Sequence, residues 1–189
     1  RKHTAQQFFD AFELARKCGF DNINTDLIAG LPTDTPESFK NSLDSIVRLN
    51  AECITVHTLC MKRASRLTTE GVTLDLQQAR DAREMLAYTQ NILGQNEYIP
   101  YYMYRQSRMV GNLENVGWSK KGFESLYNVY VMDETHTILA CGSGGVTKLK
   151  RNNPDYLERI FNFKYPYEYI DRFDELIQRK SGIMQFYGQ

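Results

Sequence analysis

Two apolar runs, INTDLIAGL over residues 23–31 and CITVHTL over residues 53–59, flank a single amphipathic helical stretch. That stretch opens with Thr35 as the cap and Pro36 in the first turn, where a missing N–H costs nothing. Its apolar stripe is Phe39, Leu43, Ile46 and Val47, and it stops near Asn50. Strand, helix, strand in this order forces parallel pairing of the strands with a right-handed crossover. Helices lying on a parallel sheet suit a barrel or a doubly wound sheet, and two strands alone do not separate these.

The flanking segments extend the pattern and then break it. Thr4 and Gln7 have the form of a capping box, with Ala5, Phe8, Phe12 and Ala15 at helical spacing and Gly19 as the stop. After residue 60 the rhythm changes. A long helix is expected over residues 74–93, with Leu74, Ala82, Met85, Leu86, Thr89 and Leu93 buried. Strand-like segments are expected at residues 98–104 and 126–132, and a glycine-rich turn at residues 141–145. Helices are expected at residues 156–161 and 166–180, the second with Ile170, Phe173 and Ile177 on one face. The break between modules falls loosely at residues 62–75.

Composition narrows the function classes. The 189 residues are 42% hydrophobic and 24% charged, enough for one sizeable core with a smaller annex. Net charge is zero, so nothing points to nucleic acid or to a membrane surface. No apolar run reaches the roughly 20 residues of a membrane span, and the N-terminus has no signal-peptide pattern. The first residue is Arg, which is expected of a piece of a longer protein. Cys18, Cys53, Cys60 and Cys141 make no CxxC pair and only three histidines accompany them, so a closed metal site has little support. Four reduced thiols in a cytoplasmic protein are the expectation, with one disulfide as the alternative.

Asp26 is the odd residue of the first strand. Alternation puts it on one face with Asn24 and Ile28, opposite Ile23, Thr25 and Leu27. Parallel sheets are covered on both faces, so Asp26 is expected to be shielded from water and to need donors. It either ties down a neighbouring loop or faces a ligand at the carboxyl end of the strand, where parallel sheets bind theirs. Gly30 in the GLPT exit would let the backbone approach such a ligand. His57 reads first as a core histidine satisfied by one hydrogen bond, and second as a catalytic one. Cys60 closes the second strand, where its backbone could meet a ligand, while Cys18 and Cys141 read as packing residues. GSGGVTK, residues 142–148, lacks the spacing of a phosphate-binding loop.

Residues 101–118, YYMYRQSRMVGNLENVGW, are dense in Tyr, Arg and Asn. Tyr101, Tyr102 and Tyr104 either fill a half-buried sheet or line a groove for a large flat substrate. Arg105 and Arg108 are candidate carboxylate clamps, with structural roles as the alternative. Asn112, Glu114 and Asn115 are expected to fix a turn.

The stretch from His3 to His57 carries Gly19, Phe20, Asp26, Leu27, Ile28, Gly30, Leu31, Pro32, Thr35, Glu37, Ser38 and Phe39 in one register. In this it resembles the late barrel region of radical S-adenosylmethionine enzymes, within them the oxygen-independent coproporphyrinogen III dehydrogenase (oxidase) family. The resemblance is good over residues 1–60 and continues through YNVYVMDETHTILACGSGGVTK. It implies an α/β chain: the C-terminal part of an incomplete (β/α)6 radical-SAM barrel over residues 1–68, then a smaller α+β substrate-side domain over 69–189. Arg1 and Asp26 match family residues that contact S-adenosylmethionine. Cys60 falls where a small residue touches the adenosyl group through its backbone. The CxxxCxxC motif that holds the family's [4Fe-4S] cluster is absent from this chain, as are the glycine-rich motif and a glutamine of earlier strands, all of which would precede residue 1.

The family reaction implied is oxidative decarboxylation of coproporphyrinogen III to protoporphyrinogen IX without oxygen. It begins with reductive cleavage of S-adenosylmethionine, so an electron donor is implied as well. Leu59, Cys60 and Met61 depart from the Tyr-Ala-His-like residues of the dehydrogenases proper, and YRQ…VGNLENVGW looks like the divergent, HemZ-type branch. A related branch is similar to haem chaperones, which makes haem the alternative ligand and haem transfer the alternative function. A part-barrel also implies an exposed sheet edge prone to self-pairing.

Overall fold

A computed structural model describes residues 3–60, 76–105, 109–152 and 155–188. By its internal contacts the chain divides into two compact units, Arg1–Ser125 and Leu126–Gln189.

The first unit is a mixed sheet with helices on one side. In chain order it contains α1 (Ala5–Lys17), β1 (Asn24–Ala29), α2 (Pro36–Leu49), β2 (Cys53–Thr58), α3 (Leu76–Gln95), β3 (Ile99–Tyr104) and β4 (Asn115–Ser119). Both predicted capping devices form. Thr4 accepts from the Gln7 N–H while the Gln7 side chain accepts from Thr4, and Thr35 and Ser38 make the same reciprocal pair. Helix α2 ends on Asn50 in the left-handed conformation, φ 59°.

Strand order is β1-β2-β4-β3. β1 and β2 pair in parallel, Asp26 opposite Thr55 and Ile28 opposite His57, as the crossover requires. β4 then pairs antiparallel with both β2 and β3. The sheet is therefore parallel only in its first half, and no closed barrel forms among the described residues.

One face of the sheet is packed. Phe39, Leu43 and Ile46 of α2, Phe12 of α1 and Met85 and Leu93 of α3 meet Ala29, Ile54 and Val56 from the strands, with Tyr98 and Trp118 at the margin. Val47 and Leu86 are partly buried against this core, and Leu74 lies outside the described residues. Gly30 sits at φ +83°, and a Cβ there would stand 3.2 Å from the Cβ of Ala82. Its freedom serves the close approach of α3. At the base of the unit, both carboxylate oxygens of Glu52 accept from Arg16 Nη2, at 2.7 and 2.8 Å, and Oε2 accepts from the Ile23 N–H at 3.0 Å. Burial raises the Glu52 carboxyl, but Arg16 and the Ile23 N–H outweigh it and leave it below the ordinary glutamate value.

That depressed value fixes a pH dependence. The contribution of Glu52 is present above the ordinary glutamate range and is lost as pH falls through the lower, folded-state value. Glu52→Gln is expected to lower the urea midpoint at pH 7, and the gap to the parent chain should close in that acid window. A gap that stays constant with pH would contradict this assignment.

The second unit contains α4 (Leu126–Asp133), the hairpin β5 (Val146–Asn152) and β6 (Asp155–Phe161), then α5 (Pro166–Asp171), α6 (Phe173–Lys180) and α7 (Gly182–Tyr187). Two expectations are reversed here. Residues 126–132 are helical, since a short apolar run with aromatics has no period that separates strand from helix. Residues 156–161 are a strand, because pairing with β5 across the short hairpin overrides local preference. The helix expected over residues 166–180 breaks at Arg172, which leaves helical geometry. Asn162 donates to the carbonyls of Ala140 and Gly142, which pins the glycine-rich turn ahead of β5.

Candidate functional site

Among the described residues of the first unit no helix packs on the other face of the four-stranded sheet, and six polar side chains there form one connected set. Alternation places Asn24 and Asp26 of β1, Thr55 and His57 of β2, and Tyr102 and Tyr104 of β3 on this face. Asp26 is not shielded, as the sequence implies, but has a side chain 59% exposed, because among the described residues of this unit the helices pack on the opposite face.

Two lines of contacts run from β3 to Asp26. In the first, Tyr102 Oη lies 3.2 Å from Thr55 Oγ1, which donates to Asn24 Oδ1 at 3.1 Å; Asn24 Nδ2 donates to Asp26 Oδ1 at 2.7 Å. In the second, Tyr104 Oη lies 3.2 Å from His57 Nδ1, and His57 Nε2 faces Asp26 Oδ2 at 3.7 Å, an electrostatic contact longer than a hydrogen bond. His57 holds the Asp26 carboxyl below its ordinary value against the opposing effect of burial, and Asn24 and Thr55 add to the lowering. Burial pushes the phenols of Tyr102 and Tyr104 up, so both keep their protons at neutral pH and are available as donors.

Gly117 makes this surface possible. It sits opposite both Thr55 and Tyr102, and a Cβ there would stand 1.8 Å from Tyr102 Cε1. The tyrosine ring lies over the glycine backbone, near-parallel to Tyr104 at an interplanar angle of 6°. Two stacked, near-parallel tyrosine rings therefore share this face with the carboxylate.

The other expected site residues are distributed as follows. The backbone of Cys60 makes an isolated antiparallel bridge with Met109, just beyond β2. Arg105 is exposed and paired with Glu114. Arg1 and Arg108 lie outside the described residues. His57 is neither a core histidine nor isolated. The signal for it was present in the strand alternation, but its partner Tyr104 comes from a strand whose register the sequence does not show.

Asp26 is exposed and has acceptor capacity beyond its partners His57, Asn24 and Thr55, so the face suits a ligand bearing ammonium or hydroxyl donors, and S-adenosylmethionine meets that requirement. The donor set for an iron–sulfur cluster is different. None of the four cysteines forms a disulfide; burial pushes the Cys53 thiol up to about 11, and its sulfur lies 3.1 Å from the Phe123 carbonyl oxygen. Among the described residues no group of three His, Cys, Asp or Glu side chains is placed to hold a metal. Nor, among them, is any helix long and apolar enough to cross a membrane.

No family model matches the chain. It is 36% identical over 185 residues to the oxygen-independent coproporphyrinogen-III oxidase-like protein HemZ of Bacillus subtilis, covering 98% of this chain and 37% of that protein. The chain belongs to the HemZ/HemN oxygen-independent coproporphyrinogen oxidase family. It spans little more than a third of the HemZ relative. The heme chaperone HemW of Lactococcus lactis is 30% identical over 162 residues, covering 81% of this chain and 38% of the chaperone. The coproporphyrinogen III oxidase HemN of Escherichia coli, described as a radical SAM enzyme, shares the fold at a TM-score of 0.62. That match covers 93% of this chain and 39% of HemN at 18% identity. In this HemZ/HemN family member, the open sheet face with Asp26 is the feature around which a ligand site can be built.

Proposed function

We propose that the full-length protein is a radical S-adenosylmethionine oxidoreductase that converts coproporphyrinogen III to protoporphyrinogen IX without oxygen. The observation that supports this most is Asp26, its carboxyl held below the ordinary value, reached by two lines of contacts and exposed on a face that also carries two stacked tyrosine rings. In this reading Asp26 takes donor groups of S-adenosylmethionine, together with Arg1 and the backbone at Cys60. Hydrogen abstraction is the chemistry which that cofactor supplies when bound. Tyr102 and Tyr104 offer a wall to a flat macrocycle, and Arg105, exchanging Glu114 for a propionate, acts with Arg108 on the substrate. The [4Fe-4S] ligands and the electron donor are supplied from outside this chain, and the protein works in the cytoplasm. The uncovered edge of β1 pairs with a further strand in the whole protein and self-associates without one.

Anaerobic full-length protein with a reconstituted cluster should consume S-adenosylmethionine and release a vinyl-bearing porphyrinogen. Asp26→Ala should weaken cofactor binding about tenfold or more, the loss of one charge-assisted interaction. Absence of any vinyl product from active-cluster protein would rule the reading out. The 30% identity to a heme chaperone favours haem binding as the second reading. A saturable Soret titration that weakens on replacing Arg105 and Arg108, with no porphyrinogen turnover, would select it.

A further inference from the structure

The two contact lines that meet at Asp26 share an origin and a polarity. Each begins at a protonated tyrosine of β3 and ends on a different oxygen of the same carboxylate. In the first, Thr55 gives its proton to Asn24, so the Thr55 oxygen is left to accept from Tyr102. In the second, one arrangement satisfies every group. Tyr104 donates to Nδ1, the ring proton sits on Nε2, and that N–H faces the carboxylate oxygen. The imidazole ring is only part-exposed and packs edge-on to Tyr104, which limits its rotation.

We infer that His57 is a positioning residue, set by Tyr104, that aims the Asp26 carboxylate at a donor-bearing cationic or hydroxylated ligand. The inference rests on the proposed cofactor role of Asp26 and adds the residues that orient it. A carboxylate on an uncovered strand face otherwise rotates about its side-chain torsions and spreads its charge over many directions. Anchoring one oxygen through Asn24 and opposing the other with His57 fixes its plane across β1, so binding a ligand costs less ordering. Acceptor capacity is left over for the ligand, because His57, Asn24 and Thr55 are three partners for a carboxylate that can accept about four hydrogen bonds.

The test uses the full-length protein, with S-adenosylmethionine as the probe and two readouts. Calorimetry gives the dissociation constant, and carboxyl-carbon NMR of labelled aspartate gives the titration midpoint of Asp26, identified by its loss in Asp26→Asn. His57→Phe keeps the ring shape and removes both nitrogens. It should weaken binding about tenfold, the loss expected of one interaction with a charged group, and should raise the Asp26 midpoint. His57→Gln places an amide donor where Nε2 stands and should recover most of both effects, while Tyr104→Phe should show a smaller change of the same sign. A merely structural histidine would not be rescued in the midpoint by glutamine. If wild-type protein and His57→Phe bind the probe equally with the same Asp26 midpoint, the inference fails and the cofactor reading stands. If wild-type protein binds no probe, both fail, and a midpoint that still moves in His57→Phe would show the contact intact but without that use.

Discussion

Phe39→Ala is expected to cost about 3–5 kcal/mol of folding stability, the range for removing a buried aromatic ring. Phe39 is 1% exposed and lies at the centre of the cluster that joins α2 to Ala29, Ile54 and Val56 of the sheet. Two effects add: the transfer of the ring's apolar surface is lost, and neighbours held by three elements collapse only partly into the space. Domains of this size are stable by about 5–15 kcal/mol, so the substitution removes a large share of the total. Urea denaturation followed by circular dichroism should show a much lower midpoint with a similar slope. Phe20, 63% exposed and only eight positions from Phe12 in the sequence, is the control, and Phe20→Ala should change the midpoint little.

The second large effect is expected at Gly117. Valine there would place its Cβ inside the space now held by the Tyr102 ring, with the nearest ring atom at 1.8 Å. No rotamer change of the new side chain avoids this, since the Cβ position is set by the backbone. Tyr102 must swing away, and its contact with Thr55 goes with it. Overpacking of this kind costs about 1–3 kcal/mol, and here the upper end applies. The double variant Gly117→Val with Tyr102→Ala should be less destabilised than the sum of the singles, which a double-mutant cycle reads directly. Additive effects would mean that the glycine is needed for another reason. In the full-length protein the single variant should also weaken ligand binding, because the first line of contacts to Asp26 starts at Tyr102.

The first half of the molecule was legible because its signals are local. Thr4 with Gln7 and Thr35 with Pro36 mark helix starts by chemistry acting within one turn, and the stripe Phe39, Leu43, Ile46 repeats at helical spacing. The β1-α2-β2 unit then follows from chain geometry. β4 was not legible: Asn115 to Ser119 contain a glycine and a lone tryptophan, and only Asn115 among them reads as having a role, in fixing a turn. Its place between β2 and β3 depends on pairing across more than 50 residues, with Cys53 opposite Ser119, which no local pattern encodes. The site inherits that divide. Asp26 was conspicuous as an acid within an apolar strand, whereas the part of His57 depends on Tyr104, which reaches it only through the register of β4. The expectation of a shielded Asp26 went wrong because it assumed helices on both faces of the sheet.

Strand order also dictates a sequence of assembly. β3 precedes β4 along the chain yet reaches the sheet only through it, so the tyrosine strand has no partner until Asn115–Ser119 have left the ribosome and docked. β1 and β2 can meet earlier, since only the intervening helix separates them. The carboxylate and the imidazole would thus be in place first, and the phenols that orient them would arrive last, in a single late step.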